Sequence, residues 1–161
     1  MSKETFNIIV VGYGGQGVLT LADVISRAAL IEGKDVKHAE LHGLAQRGGS
    51  LIIHVRFGEK VYSSLIEKGK ADLIIALDAL EALRAYEFAG ENSIFLVNKK
   101  IFRIPARVED VLRKIKKYGK VYGVDADRIA EKLTGKTNYA NTFILAYSLA
   151  RKILPLKRSS I

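Results

Sequence analysis

The stretch "NIIVVGYGGQGVLTLADVISRAAL", residues 7–30, sets the reading of the whole chain. After Asn7, Ile8-Ile9-Val10-Val11 form a short, unbroken apolar run of branched side chains, the pattern of a strand buried on both faces of a parallel sheet. Gly12-Tyr13-Gly14-Gly15-Gln16-Gly17 then satisfies G-x-G-x-x-G. Beyond it Val18, Leu21, Ala22, Ile25, Ala28 and Ala29 recur at helical spacing, and Gly33 supplies a stop after Glu32. Strand, glycine turn and helix follow one another, as in the opening unit of an α/β sheet protein.

The same alternation continues outward. "DVKHAE" reads as a second strand, and "LHGLAQRGGS" after it is too glycine-rich and polar for a regular element. In "SLIIHVRFGEKVYSSLI" Ile53, Val55 and Phe57 alternate with His54 and Arg56, and Gly58-Glu59 fits a type II′ turn, which predicts a hairpin. "ADLIIAL" and "NSIFLVN" return to buried strands on either side of a helix, "DALEALRAYEFAG", with Asp78 as its cap and Gly90 as its stop. "RVEDVLRKIKKYG" reads as a helix with Val108, Val111, Leu112 and Ile115 inward, "KVYGV" as a strand, and "DADRIAEKL" as a helix capped by Asp125 or Asp127. "NYANTFILAYSLARKIL" closes as an apolar helix ended by Pro155. The expected fold is α/β: an open Rossmann-like three-layer arrangement, mostly parallel sheet with one antiparallel hairpin, in a single domain over residues 1–161.

Composition narrows the functions. A length of 161 residues leaves no room for the second, substrate-binding domain of a self-sufficient nicotinamide dehydrogenase. Without cysteine the chain has no disulfide, thiolate zinc site or cysteine nucleophile, and it cannot by itself ligate an iron–sulfur cluster. "MSKETF" lacks the apolar stretch of a secretion signal and no run spans a bilayer, so a cytoplasmic protein with no membrane association is expected. The formal net charge of +9 raises the question of nucleic acid. The cations are gathered in "NKKIFRIPARVEDVLRKIKKYGK" and "ARKILPLKR", without an RNA or DNA motif or a stacking platform, so a solvated face or a docking face for an acidic partner is the reading, with no nucleic acid.

Two segments carry candidate chemistry. In a dinucleotide fingerprint Gly12 makes the tight turn, Gly14 lets the backbone approach a pyrophosphate, and Gly17 lets helix and strand pack. Glu40, near the end of the second strand, stands where a ribose ligand is expected, so a free-standing NAD(P)-binding protein is the alternative function. The same glycines serve any strand-to-helix turn that comes close to something, phosphate or protein. The second segment brings His42, Gln46, Arg47, Gly48 and Gly49 to the carboxyl edge, facing the first. Arg47 can grip a phosphate, a carboxylate or a neighbouring subunit, and Gly48-Gly49 can present amides as an anion nest. His38, His42 and His54 have no metal-ligand spacing, and no catalytic constellation stands out. No catalytic residue and no metal site are expected.

Taken together, "VGYGGQGVLTLADVISRAAL", "HAELHGLAQRGGSLIIHVRFGEKVYSSLI", "ADLIIALDALEALR" and "NTFILAYSLA" resemble the gamma-type subunits of the 2-oxoacid:ferredoxin oxidoreductases, and among them the small beta subunits of indolepyruvate ferredoxin oxidoreductases. The likeness runs from about residue 6 to about residue 154. Gly14, Gly15, Gln16 and Gly17 look like that family's glycine loop; His42, Gln46, Arg47, Gly48 and Gly49 look like its second loop. The resemblance implies an accessory subunit of a complex that oxidatively decarboxylates a 2-oxoacid, of the aryl-pyruvate type, to an acyl-CoA. It further implies that thiamine diphosphate and the iron–sulfur clusters sit on a larger catalytic partner subunit, that ferredoxin takes the electrons, and that coenzyme A is used by the complex. No cofactor is expected on this chain alone.

Overall fold

The computed structural model describes residues 5–42 and 49–161. Thr5–Tyr13 (β1) leads through the glycine turn into Val18–Ile31 (α1), then Asp35–His42 (β2) and Ser50–Gly58 (β3). Ala71–Ala76 (β4), Ala79–Arg84 (α2), Ala89–Asn98 (β5), Val108–Ile115 (α3), Lys120–Val124 (β6), Ala126–Thr134 (α4) and Ala140–Ala150 (α5) follow. The strands form one six-stranded sheet in the order β2-β3-β1-β4-β5-β6. The pairs β1–β4, β4–β5 and β5–β6 are parallel, while β3 runs antiparallel to both β1 and β2. The expected α/β class, mostly parallel sheet and antiparallel element are all present.

Successive residues of a strand face opposite sides, so β1 feeds two cores. Ile8 and Val10 join Ile53, Val55 and Phe57 beneath α1 and α5, where Leu21, Ile25, Ile144 and Leu145 close the layer. Ile9 and Val11 join Ile74, Phe95 and Val97 beneath α2 and α3, against Ala82, Val111 and Ile115. Each fully buried branched side chain contributes about 1.5–3 kcal/mol, which is why the unbroken run in β1 demands cover on both faces. The inward positions expected for α1 are all buried. In α3 Val111 and Ile115 are buried, with Val108 and Leu112 half-buried.

Three expectations are corrected. The antiparallel partner of β3 is not a strand after Gly58: β1 and β2 already occupy both its edges, and side chains pin the following segment instead. Val61 N–H donates to the Asp35 carboxylate at 2.8 Å, Ile66 N–H to His54 Nδ1 at 2.9 Å, and Arg56 Nη1 to the Ser63 carbonyl at 2.9 Å. Gly90 does not stop α2, which ends at Arg84 and passes through a 3₁₀ turn, Ala85–Phe88, into β5. A Cβ at Gly90 would strike the Gly69 carbonyl oxygen, so glycine is needed there for strand packing. Finally, α5 stops at Ala150, before Pro155; Lys152 turns left-handed at φ 55°, and Ile153 N–H closes on the Ser148 carbonyl at 2.9 Å.

Candidate functional site

Helix α1 follows β1 onto one face and α2 follows β4 onto the other, so the carboxyl ends of these adjacent strands form a topological switch point, where open α/β sheets bind ligands. A cleft of about 320 Å³ opens there, walled by Tyr13, Leu77, Phe102 and Ala140, with Gly14, Gly15 and Gln16 along one side.

The glycine turn is largely held by its own groups. The Gln16 side-chain oxygen accepts from Tyr13 N–H at 2.8 Å, and Gln16 N–H returns to the Tyr13 carbonyl at 3.1 Å. A Cβ on Gly12 would lie 2.7 Å from Val18 Cγ2 and 2.8 Å from Gln16 Oε1, so the first glycine lets the turn fold back on itself. Gly17 caps α1 with φ 80°, and the space a side chain would take is filled by the amide of Asn141 from α5. The third glycine therefore accommodates protein. Gly15, at φ 95°, has no atom of the described residues within 4 Å of its Cβ position and lines the cleft.

The described end of the second glycine segment meets the first. Gly14 N–H donates to the Gly49 carbonyl at 3.1 Å, and Ser50 Oγ bonds to the Glu81 carboxylate. Glu81, 1% exposed, also receives Arg84 Nη1 at 2.7 Å. Burial first, and then a hydrogen bond to Glu81, push the Tyr13 phenol above its ordinary value. His42 is the last residue of β2, whereas Gln46, Arg47 and Gly48 lie outside the described residues.

Several cleft residues carry no motif in the sequence. Asn98, ending β5, donates to the Leu77 carbonyl at 3.2 Å and the Asp127 carboxylate at 2.5 Å, and accepts from Ala126 N–H at 3.1 Å. It ties β4, β5 and the start of α4 together. Lys100 Nζ lies 2.5 Å from Asp127 Oδ1 and is the one cation among the described residues that line the cleft. Asp125 occupies the cap position of α4 without a side-chain bond, while Asp127 turns to Asn98 and Lys100. The wall segment after β5 is anchored by Asp78, whose fully buried carboxylate accepts from Leu80 and Phe102 N–H at 2.8 Å each and from Glu81 N–H at 3.4 Å. Burial pushes the Asp78 carboxyl up against the opposing pull of those amides. A strand ending in Asn at the carboxyl edge is the one signal that could have singled out this corner.

A dinucleotide geometry is not formed. Because β3 stands between β1 and β2, Glu40 is two strands from the glycine turn, about 10 Å across the sheet. Its register partner Ile53 is level with Val10, three residues below Tyr13, so Glu40 is also about 10 Å down the strand. His38 and His54 are likewise strand residues, and among the described residues no three His, Asp or Glu side chains gather as a metal site. No helix among them is long and apolar enough to cross a membrane.

The family model for pyruvate ferredoxin/flavodoxin oxidoreductase matches residues 7–161. The chain belongs to that family. Indolepyruvate oxidoreductase subunit IorB of Archaeoglobus fulgidus is 41% identical over 78% of this chain and 67% of its own length. The protein of the same name from Methanothermobacter thermautotrophicus is 34% identical over 97% of this chain and 84% of its own. Against the IorB of Thermococcus kodakarensis the match spans about half of the relative, 47%. Among solved structures, the pyruvate oxidoreductase subunit PORC of Thermotoga maritima superposes with a TM-score of 0.72 at 25% identity, covering 95% of this chain and 80% of the other. As a member of this family the chain is an oxidoreductase component. The glycine turn, the Gly14–Gly49 contact and the cleft thus belong to a gamma-type oxidoreductase domain.

Proposed function

We propose that the chain is the accessory, non-catalytic subunit of a ferredoxin-dependent 2-oxoacid oxidoreductase acting on an aryl-pyruvate, with thiamine diphosphate and iron–sulfur clusters held by a larger partner subunit. The kinship to IorB proteins supports the substrate class. The absence of cysteine from the whole sequence is the observation that carries the division of labour, because a cluster's thiolate ligands must come from elsewhere.

The carboxyl-edge cleft fits part of coenzyme A better than it fits a reacting 2-oxoacid. Among its described residues it offers an apolar wall for a planar group, the backbone of Gly15, and the cation Lys100, whose partner Asp127 can release it to a phosphate. Within this reading His42, Gln46, Arg47, Gly48 and Gly49 serve the same ligand or the partner subunit.

Reconstitution of the complete complex tests the proposal. The isolated chain should show no oxidoreductase activity and no visible cofactor absorbance, and activity without a second polypeptide overturns the assignment. In the complex, Lys100→Met and Arg47→Ala should each raise the apparent coenzyme A constant about ten- to hundred-fold, equivalent to about 1.5–3 kcal/mol per charge-assisted contact, with the 2-oxoacid constant unchanged. An unchanged coenzyme A dependence for both variants removes the ligand from this cleft.

A further inference from the structure

The amino edge of the sheet carries a feature that the proposed function does not use. The 3₁₀ turn Ala85–Phe88 delivers Tyr86 just before β5, and the turn after α3 delivers Tyr118 just before β6. Both strands run with β1, so both turns lie at the end opposite the glycine loop. Tyr86 and Tyr118 pack ring against ring, with centroids 4.7 Å apart and planes tilted by 39°. They are nonetheless 45% and 41% exposed. Half-wet aromatic pairs of this kind suit the centre of a protein interface, where tyrosine is enriched.

The chain on either side of Tyr118 carries charge of one sign. Between Asp110 and Asp125 the chain has Arg113, Lys114, Lys116, Lys117 and Lys120 with no Asp or Glu, and all five are exposed. Arg113 reaches Asp110 at 3.3 Å, and Lys120 lies over the Tyr122 ring at 5.0 Å. Among the described residues, Lys114, Lys116 and Lys117 have no carboxylate within ion-pair distance. Glu87, the acid next to Tyr86, is held by Lys68 at 2.8 Å. The dipole of α3 favours Arg113 and Lys114 in its last turn, but Lys116, Lys117 and Lys120 fall at or beyond its end. Ammonium groups closer than a Debye length of about 8 Å repel one another, and an opposing negative surface relieves that repulsion.

We propose that this amino-edge surface, centred on Tyr86 and Tyr118 and flanked by Lys114, Lys116 and Lys117, docks the acidic face of a partner protein. The two rings close on each other and leave no slot for a stacked base. The cations gather at one helix end instead of tracking a strip, which favours protein over nucleic acid. The nine residues of β1 separate this surface from the glycine turn by about 30 Å, so a partner here and a ligand in the cleft can be held together. A partner docked here needs no ligand in the cleft.

The test uses the full chain, isotope-labelled for NMR, titrated with a short Glu-rich peptide carrying one central Phe and, in parallel, with a DNA duplex. Peptide-induced shifts should concentrate at Tyr86 and residues 114–120 and weaken as salt is raised. The K116E/K117E variant, shown by circular dichroism and thermal midpoint to be folded, should bind the peptide about ten-fold more weakly. The milder K116Q/K117Q pair serves if charge reversal perturbs the fold, and Y118A should weaken binding several-fold. Shifts located elsewhere, or a folded lysine variant that binds as the parent does, overturn the proposal. DNA bound more tightly than the peptide through the same residues overturns the choice of protein.

Discussion

Asn141 of α5 donates from its side-chain amide to the carbonyl oxygen of Gly17 at 3.3 Å, across 124 residues of chain. The last glycine of the fingerprint is thus fastened to the final helix. Gly17→Ala should cost about 2–4 kcal/mol, because alanine is strained at φ 80° and its methyl would collide with the Asn141 amide. Gly15→Ala, at φ 95° but clear of the described residues, should cost only about 1–2 kcal/mol. Urea unfolding of both variants, with Asn141→Gly in a double-mutant cycle, measures the difference. A Gly17 penalty untouched by Asn141→Gly would mean that the packing contributes nothing.

Gln16 is a latch on the turn before it is anything to a ligand. Removing its oxygen in Gln16→Ala orphans the Tyr13 amide and should destabilise the ligand-free chain by about 1–3 kcal/mol, whereas Gln16→Glu keeps an acceptor and should cost less. Equal stability of the alanine variant and the parent would reassign Gln16 to ligand contact alone.

His54 should make the fold acid-sensitive. Its ring is 2% exposed, Nδ1 accepts from Ile66 N–H, and Nε2 is buried without a partner. Burial, followed by the nearby Arg56 charge, holds it below the ordinary histidine value. Between that lowered folded value and the ordinary one near 6.5, the unfolded chain binds the extra proton, so stability rises with pH through this window and is lost as pH falls. Each pKa unit of depression corresponds to about 1.4 kcal/mol. Denaturant titrations across the weakly acidic range should show this slope in the parent and a smaller one in His54→Gln; the same slope in both would assign it to other groups.

Asp78 works in the opposite sense. Its folded carboxyl is raised, so the native state retains the proton longer than the unfolded chain, and stability falls as pH rises from the ordinary carboxylate value to the raised one. Asp78→Ala loses the cap of α2 and the acceptor for Phe102 N–H, at a cost of about 2–4 kcal/mol. Asp78→Asn retains one acceptor and should cost less while removing that pH dependence. Thermal melts at two pH values distinguish the variants, and an Asn variant with the parent's slope would show that Asp78 does not titrate there.

Local pattern was enough to define the individual units. Branched apolar runs made β1, β4 and β5 legible because a strand covered on both faces must be apolar at every position. The spacing of Val18, Leu21, Ala22 and Ile25 made α1 legible, and the carboxylate of Asp78 marked the start of α2. It also brought out the two glycine segments and their mutual approach, seen at Gly14 and Gly49. What alternation in β3 could not say is which strands lie beside it, because the pattern fixes the buried face and leaves the neighbours free. Tertiary structure decided that β3 separates β1 from β2, and that choice moved Glu40 away from the turn and left no free edge for a hairpin at Gly58. It also brought Asn98, Lys100 and Asp127 together. Their convergence depends on strand order and on how α4 leaves β6, contacts between distant segments that no local spacing encodes.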